Sequence, residues 1–256
     1  MYISLNEYED AELYLSERDL SGDIANKLRV IARYYLDKKM KKVEVREKLC
    51  QHISRIGESP TLNYWSDMID YAIKRAAKTP LITIGSIPIN SQELKKIDEL
   101  KGVQLQRLAF TLLCLSKYRY AVNPDCNHWI CFEDSDIMKM ANLKESLKRR
   151  AELYRALKDL GYLKFPKKGD SISMQVLLAE DGCDETILNI TNFKNLGYQY
   201  LKYKGEPYFE CASCGDTVKR NANTVGRPQK YCDQCAALIH AKQMTDAVMR
   251  SRLSIK

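Results

Sequence analysis

Apolar side chains recur at steps of three and four residues through most of this chain, the spacing that puts them on one face of a helix. From Gly22 to Lys39 the set is Ile24, Leu28, Ile31 and Tyr35, and from Lys42 to Ile56 it is Val45, Leu49, Ile53 and Ile56. From about Leu62 to Lys78 it is Trp65, Ile69, Ala72, Ile73 and Ala76. Gly57 and Pro60 end the second run. The three stripes predict a helical domain over 22–88. Between Pro80 and Pro88 the β-branched run Leu81-Ile-Thr-Ile-Gly-Ser-Ile87 breaks the helical period and reads as extended chain at a boundary.

Beyond it, Asn90 with Glu93 three residues on has the form of a capping box, opening a helix through Leu100. Gly102 precedes Val103 to about Tyr120, where Leu105, Leu108, Ala109, Leu112, Leu113 and Leu115 cover most of the circumference. A helix apolar all round belongs at the centre of its domain. Trp129-Ile-Cys-Phe132 reads as a strand, and Asp134 or Ser135 can cap a brief helix over 136–141, with Asn142 as a turn residue. From Lys144 to Leu160, Leu147, Ala151, Tyr154, Leu157 and Leu160 make one apolar face, and Gly161 stops the helix. Tyr162–Phe165 and Ser171–Leu178 then read as a hairpin around Pro166-Lys-Lys-Gly-Asp170.

Helix, strand, helix, turn, helix, hairpin is an order that resembles the winged-helix variant of the helix-turn-helix. The resemblance covers residues 102–179, and Leu153-Tyr-Arg-Ala-Leu-Lys-Asp-Leu-Gly-Tyr-Leu163 is its most characteristic fragment. It implies that the 144–160 helix lies against the DNA major groove and that Lys167 and Lys168 lie near the phosphates. Residues 142–168 hold nine bases against three acids, a local charge of +6. Lys144, Lys148, Arg149, Arg150, Arg155, Lys167 and Lys168 are therefore the candidate nucleic-acid contacts. Of these, Arg149 and Arg150 are the candidates for base readout, because a guanidinium binds guanine bidentately. Winged helices also dock proteins, so a module that inhibits or recruits a host or replication complex is the alternative.

The strongest chemical signal is Cys211-Ala-Ser-Cys214 followed by Cys232-Asp-Gln-Cys235. Two such pairs at this separation fit one structural zinc ion, because each pair presents two thiolates to one side of a tetrahedron. Four sulfurs leave no position for a water or substrate, so the metal's expected role is folding. Gly215 permits the tight turn after the first pair. Thr217–Arg220 and Gly226–Tyr231 predict a hairpin between the pairs, and Ala236–Arg252 a closing helix, an arrangement that resembles a zinc ribbon or a treble-clef finger. His240 is expected to be a helix-surface residue. Gly226-Arg-Pro is similar to the centre of an AT-hook, although Val225 stands where the flanking arginine would be. Arg227 and Lys230 are the candidate nucleic-acid contacts of this module.

Composition adds less. The chain has 256 residues and a formal charge of +8, which one zinc ion on four thiolates would lower to about +6. That bias favours a polyanionic partner. Residues 1–21, with Glu7, Glu9, Asp10, Glu12, Glu17 and Asp19 against Arg18, form an acidic arm read as a solvated, partly mobile terminus. Nine cysteines, five of them scattered, argue against a disulfide framework. No apolar run approaches about 18 residues, and the start is not that of a signal peptide, so a cytoplasmic protein without membrane association is expected. No phosphate loop, nucleophile elbow or histidine cluster points to catalysis, so no enzyme is expected; the alternative is a metal-dependent nuclease using paired acids such as Asp134 with Asp136 or Glu180 with Asp181.

The expectation is thus a mainly α fold of the α+β type. Its parts are an acidic arm (1–21), a helical domain (22–88), a winged-helix domain (89–180), a linker (181–206) and a zinc module with a basic helix (207–256). The expected function is duplex-DNA binding in transcription regulation or replication. The lysine- and tyrosine-rich style, with a finger near the C-terminus, is similar to proteins of bacteriophages and other mobile elements.

Overall fold

The computed structural model describes residues 3–16, 22–58, 63–167, 172–180, 185–221 and 228–253. Over the described residues the fold is mainly helical with three small antiparallel sheets. The chain divides between Ser86 and Ile87 into two compact units.

The amino-terminal unit consists of α1 (Glu7–Ser16), α2 (Ile24–Asp37), α3 (Lys42–Arg55) and α4 (Asn63–Ala76). The predicted stripes of α2 to α4 form its core: Leu28, Ile31, Val45, Leu49, Ile53 and Ile69 are wholly buried. Asp23 caps α2 by accepting from Asn26 N at 3.1 Å, and Glu44 closes the start of α3 by accepting from Lys41 N at 2.7 Å. The described part of the acidic arm is a packed helix rather than a mobile terminus. Ala11 and Tyr14 are buried against α2, and Glu7 accepts from Arg33 Nη1 at 2.5 and 2.7 Å. Glu7 also bonds Ile82 through backbone and side chain, and Ile84 N reaches Leu5 O at 2.6 Å, so the extended stretch after α4 is tied to the arm. One buried carboxylate facing a guanidinium outweighs the solvation that the arm's charge count predicted.

The carboxy-terminal unit is wound around α6 (Val103–Val122), which is buried over most of its length from Leu105 to Tyr118. In chain order the rest is β1 (Ile87–Asn90), α5 (Ser91–Asp98), a 3-10 turn (Pro124–Cys126), β2 (Trp129–Cys131), α7 (Asp134–Met140), α8 (Leu147–Asp159), β3 (Leu163–Lys164) and β4 (Ser173–Val176). Then follow β5 (Thr186–Ile190), α9 (Leu196–Tyr203), β6 (Tyr208–Glu210), β7 (Thr217–Lys219) and α10 (Asp233–Leu253). α6 touches α5, α7, α8, α9, β1, β2 and β4.

The capping box forms as predicted: Asn90 Oδ1 accepts from Glu93 N at 2.8 Å and Glu93 Oε2 from Asn90 N at 2.9 Å. β4 is central in the sheet β2-β4-β3, with Trp129 opposite Gln175 and Leu163 opposite Val176. Asn142 and Gly161 take positive φ of 56° and 78° at the turns that flank α8.

The stretch expected as a linker is structured where it is described. β5 pairs with β1, setting Ile87 against Ile190, and α9 packs on α6. Tyr200 is wholly buried with its hydroxyl donating to Asp98 Oδ1 at 2.6 Å. Gly197 lets α9 pack tightly on the end of α7, since a Cβ there would stand 2.0 Å from Ala141 O. Asn142 completes the junction by donating to Asn195 Oδ1 at 2.8 Å and accepting from Tyr198 N at 3.1 Å.

Candidate metal centre and nucleic-acid interface

The two cysteine pairs converge. Cys211 directly follows β6 and, with Cys214, occupies the turn to β7, where Gly215 takes a φ of 70° and its N–H reaches Cys211 O at 2.9 Å. Cys232 immediately precedes α10 and Cys235 lies in its first turn. The hairpin differs from the expected one, because β7 pairs with β6, Phe209 opposite Val218. The residues 228–231 pass alongside instead, with Ala212 N bonding Lys230 O at 2.9 Å.

The four sulfurs all lie within 4.8 Å of one another, a group that could hold a metal ion. Cys214 Sγ and Cys232 Sγ are 3.8 Å apart. A tetrahedral ion with sulfur ligands at about 2.3 Å requires edges of about 3.8 Å, so this spacing fits. Backbone amides also stabilise sulfur charge: Cys232 N donates to Cys211 Sγ at 3.3 Å and Cys235 N to Cys232 Sγ at 3.5 Å. Burial works against ionisation of Cys211, but the N–H groups of Cys232, Cys214 and Ser213 override it and bring its pKa down to about 6. Cys214 is pushed up to about 12, by burial first and then by its thiol neighbours. Four thiolates this close repel one another unless a cation stands between them.

The module has little else to hold it. Among the described residues from Pro207 to Ala247, only Phe209, Cys211 and Thr217 are buried. Three side chains are far too small a core for an independent fold, whereas a structural tetrathiolate metal site contributes about 10–16 kcal/mol. Cys50, Cys114, Cys126 and Cys131 lie elsewhere as free thiols, and Cys183 is outside the described residues. His240 is exposed on α10.

The basic candidates separate into distinct groups. Ser146 caps α8 by accepting from Arg149 N at 3.3 Å. The buried side chains of α8 are Leu153 and Leu157, while Leu147, Ala151 and Leu160 are exposed. The apolar face is thus rotated from the expected one. Arg150 lies on its inner side, paired with Asp134 at 2.8 Å and donating to Glu145 O at 2.8 Å. These contacts commit Arg150 to joining α7 and α8. Arg149 is divided between Glu152 at 3.0 Å and Gln104 at 3.2 Å. The outward face carries Lys148, Arg155 and Lys158 around Ala151; the Arg155 side chain is 83% exposed, with Asp159 at 3.7 Å. Lys144, Lys164, Lys167 and Lys230 are exposed, whereas Lys168 and Arg227 lie outside the described residues.

Asp134 has a different part from the one its position in the sequence suggests. It reads as a cap, yet Glu133 holds the cap position and Asp134 anchors Arg150. Burial, and then the neighbouring Asp134 carboxylate, push the Tyr154 pKa upward at the same junction. A sixteen-residue separation between an acid and an arginine carries no periodic signal that would have paired them.

Among the described residues no helix is long and apolar enough to cross a membrane. Comparison of the chain with protein-family models, curated proteins and solved structures gives no match.

Proposed function

We propose that this chain binds duplex DNA through α8 and the β3–β4 hairpin, and that its four cysteines hold one structural zinc ion. The observation that carries the DNA reading is the outward face of α8, where Lys148, Arg155 and Lys158 surround the small Ala151. A basic face with a small centre fits closely into a groove and reaches the phosphates on both sides. Further support comes from the element order α6–β2–α7–α8–β3–β4 and the sheet order β2-β4-β3, which resemble a winged helix. Lys164 and Lys167 on the hairpin extend the basic surface.

Zinc is favoured over other ions by the donor set. Four soft thiolates in a tetrahedron select zinc or iron, and because four sulfurs already complete a tetrahedron the site favours a staple rather than a catalyst. Freshly purified protein should therefore be colourless and contain one zinc per chain by elemental analysis. An iron-containing, coloured protein would overturn the assignment.

The DNA reading is tested by titrating a labelled duplex across salt concentrations with the wild type and with the Lys148→Ala/Arg155→Ala/Lys158→Ala variant. Loss of three phosphate contacts lowers the slope of log K against log salt by about 2.7. An unchanged slope sinks the reading. The second reading, docking of a protein, is favoured by the apolar side chains Leu147, Leu160 and Leu177, which are 80%, 54% and 45% exposed. Under that reading the triple variant keeps its residual DNA affinity, while Leu147→Ser/Leu160→Ser loses a partner recovered with the wild type.

A further inference from the structure

The amino-terminal unit exposes a face of α4 that the DNA reading does not use. Tyr64 and Tyr71 are 61% and 57% exposed, unusual for such large aromatic side chains. They stand seven residues apart, about 10 Å along the same side of the helix. Arg75 continues the stripe with its guanidinium 5.8 Å from the Tyr71 ring centroid, and Lys74 and Lys78 flank it in solvent. Among the described residues near this face, Asp70 is engaged by Arg46 at 2.9 Å and Glu58 accepts from Trp65 Nε1 at 3.2 Å, while Asp67 is exposed beside three cations.

A second observation lies beside it on α2. Arg29 is half-buried, donates to Asn26, and has no hydrogen-bond partner at Nε among the described residues. Its neighbour Arg33 takes both oxygens of Glu7, the buried carboxylate nearby. Burial is the chief reason that the Arg29 pKa lies below its ordinary value; Arg33 and Arg75 also lower it, while Glu7 and Asp23 oppose them. Arg29 and Arg75 are thus near enough to oppose each other's charge, while Arg33 is already committed to Glu7. A phosphate is the anion that guanidinium groups bind best.

We infer that this α2–α4 face binds single-stranded nucleic acid, with Tyr64 and Tyr71 stacking on unpaired bases and Arg75, with Arg29 near it, holding a phosphate beside the base on Tyr71. Exposed aromatic faces select a single strand because a duplex hides the base faces inside its own stack, and stacking is indifferent to base identity. The inference is independent of α8: it assigns a second activity to a different unit.

The test uses the full-length protein and fluorescein-labelled probes: a 12-nucleotide oligothymidylate, its RNA equivalent, an abasic 12-mer and a 12-base-pair duplex. The wild type should bind both base-bearing single strands more tightly than the abasic one. Tyr64→Leu/Tyr71→Leu should lose about tenfold or more in single-strand affinity, abolish the preference over the abasic probe, and leave duplex binding unchanged. Arg75→Gln should lower the single-strand salt slope by about 0.7. Unchanged thermal midpoints establish that the variants fold. The inference is overturned if the tyrosine variant binds single strands as the wild type does, or weakens duplex and single strand equally. It is also overturned if Lys148→Ala/Arg155→Ala removes single-strand binding instead, or if the wild type binds no single strand, which would leave this face to a protein.

Discussion

Glu93 and Lys117 form an ion pair whose carboxylate is wholly buried, with the ammonium 2.8 Å from Oε1 and 2.9 Å from Oε2. The same carboxylate caps α5 through Asn90 N and accepts from Glu180 N at 3.1 Å, so three segments of the carboxy-terminal unit meet on one group. Removing it strands the lysine and two amides together. Glu93→Ala should cost about 3–5 kcal/mol in urea denaturation. Glu93→Gln keeps a capping oxygen and should cost less, about 2 kcal/mol. Equal losses from the two variants would show that the charge contributes nothing.

Gly197→Ala separates helix propensity from packing. In an exposed helix this change favours folding by about 1 kcal/mol. Here the new methyl group would lie 2.0 Å from Ala141 O and 3.0 Å from Arg107 Nε, and Arg107 is itself bonded to the Ala141 and Asn142 carbonyls. Overpacking should win, with a net loss of about 3 kcal/mol or more. A rise in thermal midpoint would contradict the close approach of α9 to the end of α7.

Metal removal should act locally. Hydrogen exchange after treatment with a zinc chelator should show lost protection in β6, β7 and the first turn of α10, with the amides of α2, α3 and α4 unchanged. The small core around Phe209 is the reason. Cys214→Ser should reproduce this pattern with less than half the zinc of the wild type. Protection that persists at Phe209 and Val218 in metal-free protein would show that the module folds without its staple.

Tyr154 and Tyr200 provide a pH test. Burial is the larger cause of the upward shift in both, aided by Asp134 for Tyr154 and by a hydrogen bond to Asp98 for Tyr200. A tyrosine whose folded pKa is raised keeps its proton when the unfolded chain releases it, above about pH 10. Stability from these groups is therefore full below pH 10 and falls as pH rises beyond it. Absorbance at 295 nm should show both phenols titrating only with unfolding, and Tyr200→Phe should flatten the alkaline decline. A fully reversible titration of every phenol in the folded state would refute it.

The elements that could be read from sequence are those whose signal is local. α6 is apolar on every side, so its central place follows from its own residues; Asn90 and Glu93 are three apart, and so are the two cysteines of each pair. What could not be read depends on distant partners. The buried acid in α1 waits on Arg33, 26 residues away. α8 shows the intermediate case: its period allows two neighbouring stripes, and the one with Leu153 is buried in place of the expected one with Leu147 and Leu160. The choice is made by α6, β3 and the Asp134–Arg150 pair, none of which is visible in the helix's own spacing.

The pairing of Ile87 with Ile190 also sets a timetable. The partners lie roughly one hundred residues apart, so a ribosome working at about 5–20 residues per second separates their emergence by about 5–20 s. Through that interval β1 has an open edge and α5 is capped at one end of an unfinished unit, while the amino-terminal helices, already outside, have all their partners. The nascent chain therefore has to protect one short apolar edge, Ile87 and Ile89, until β5 arrives to close it.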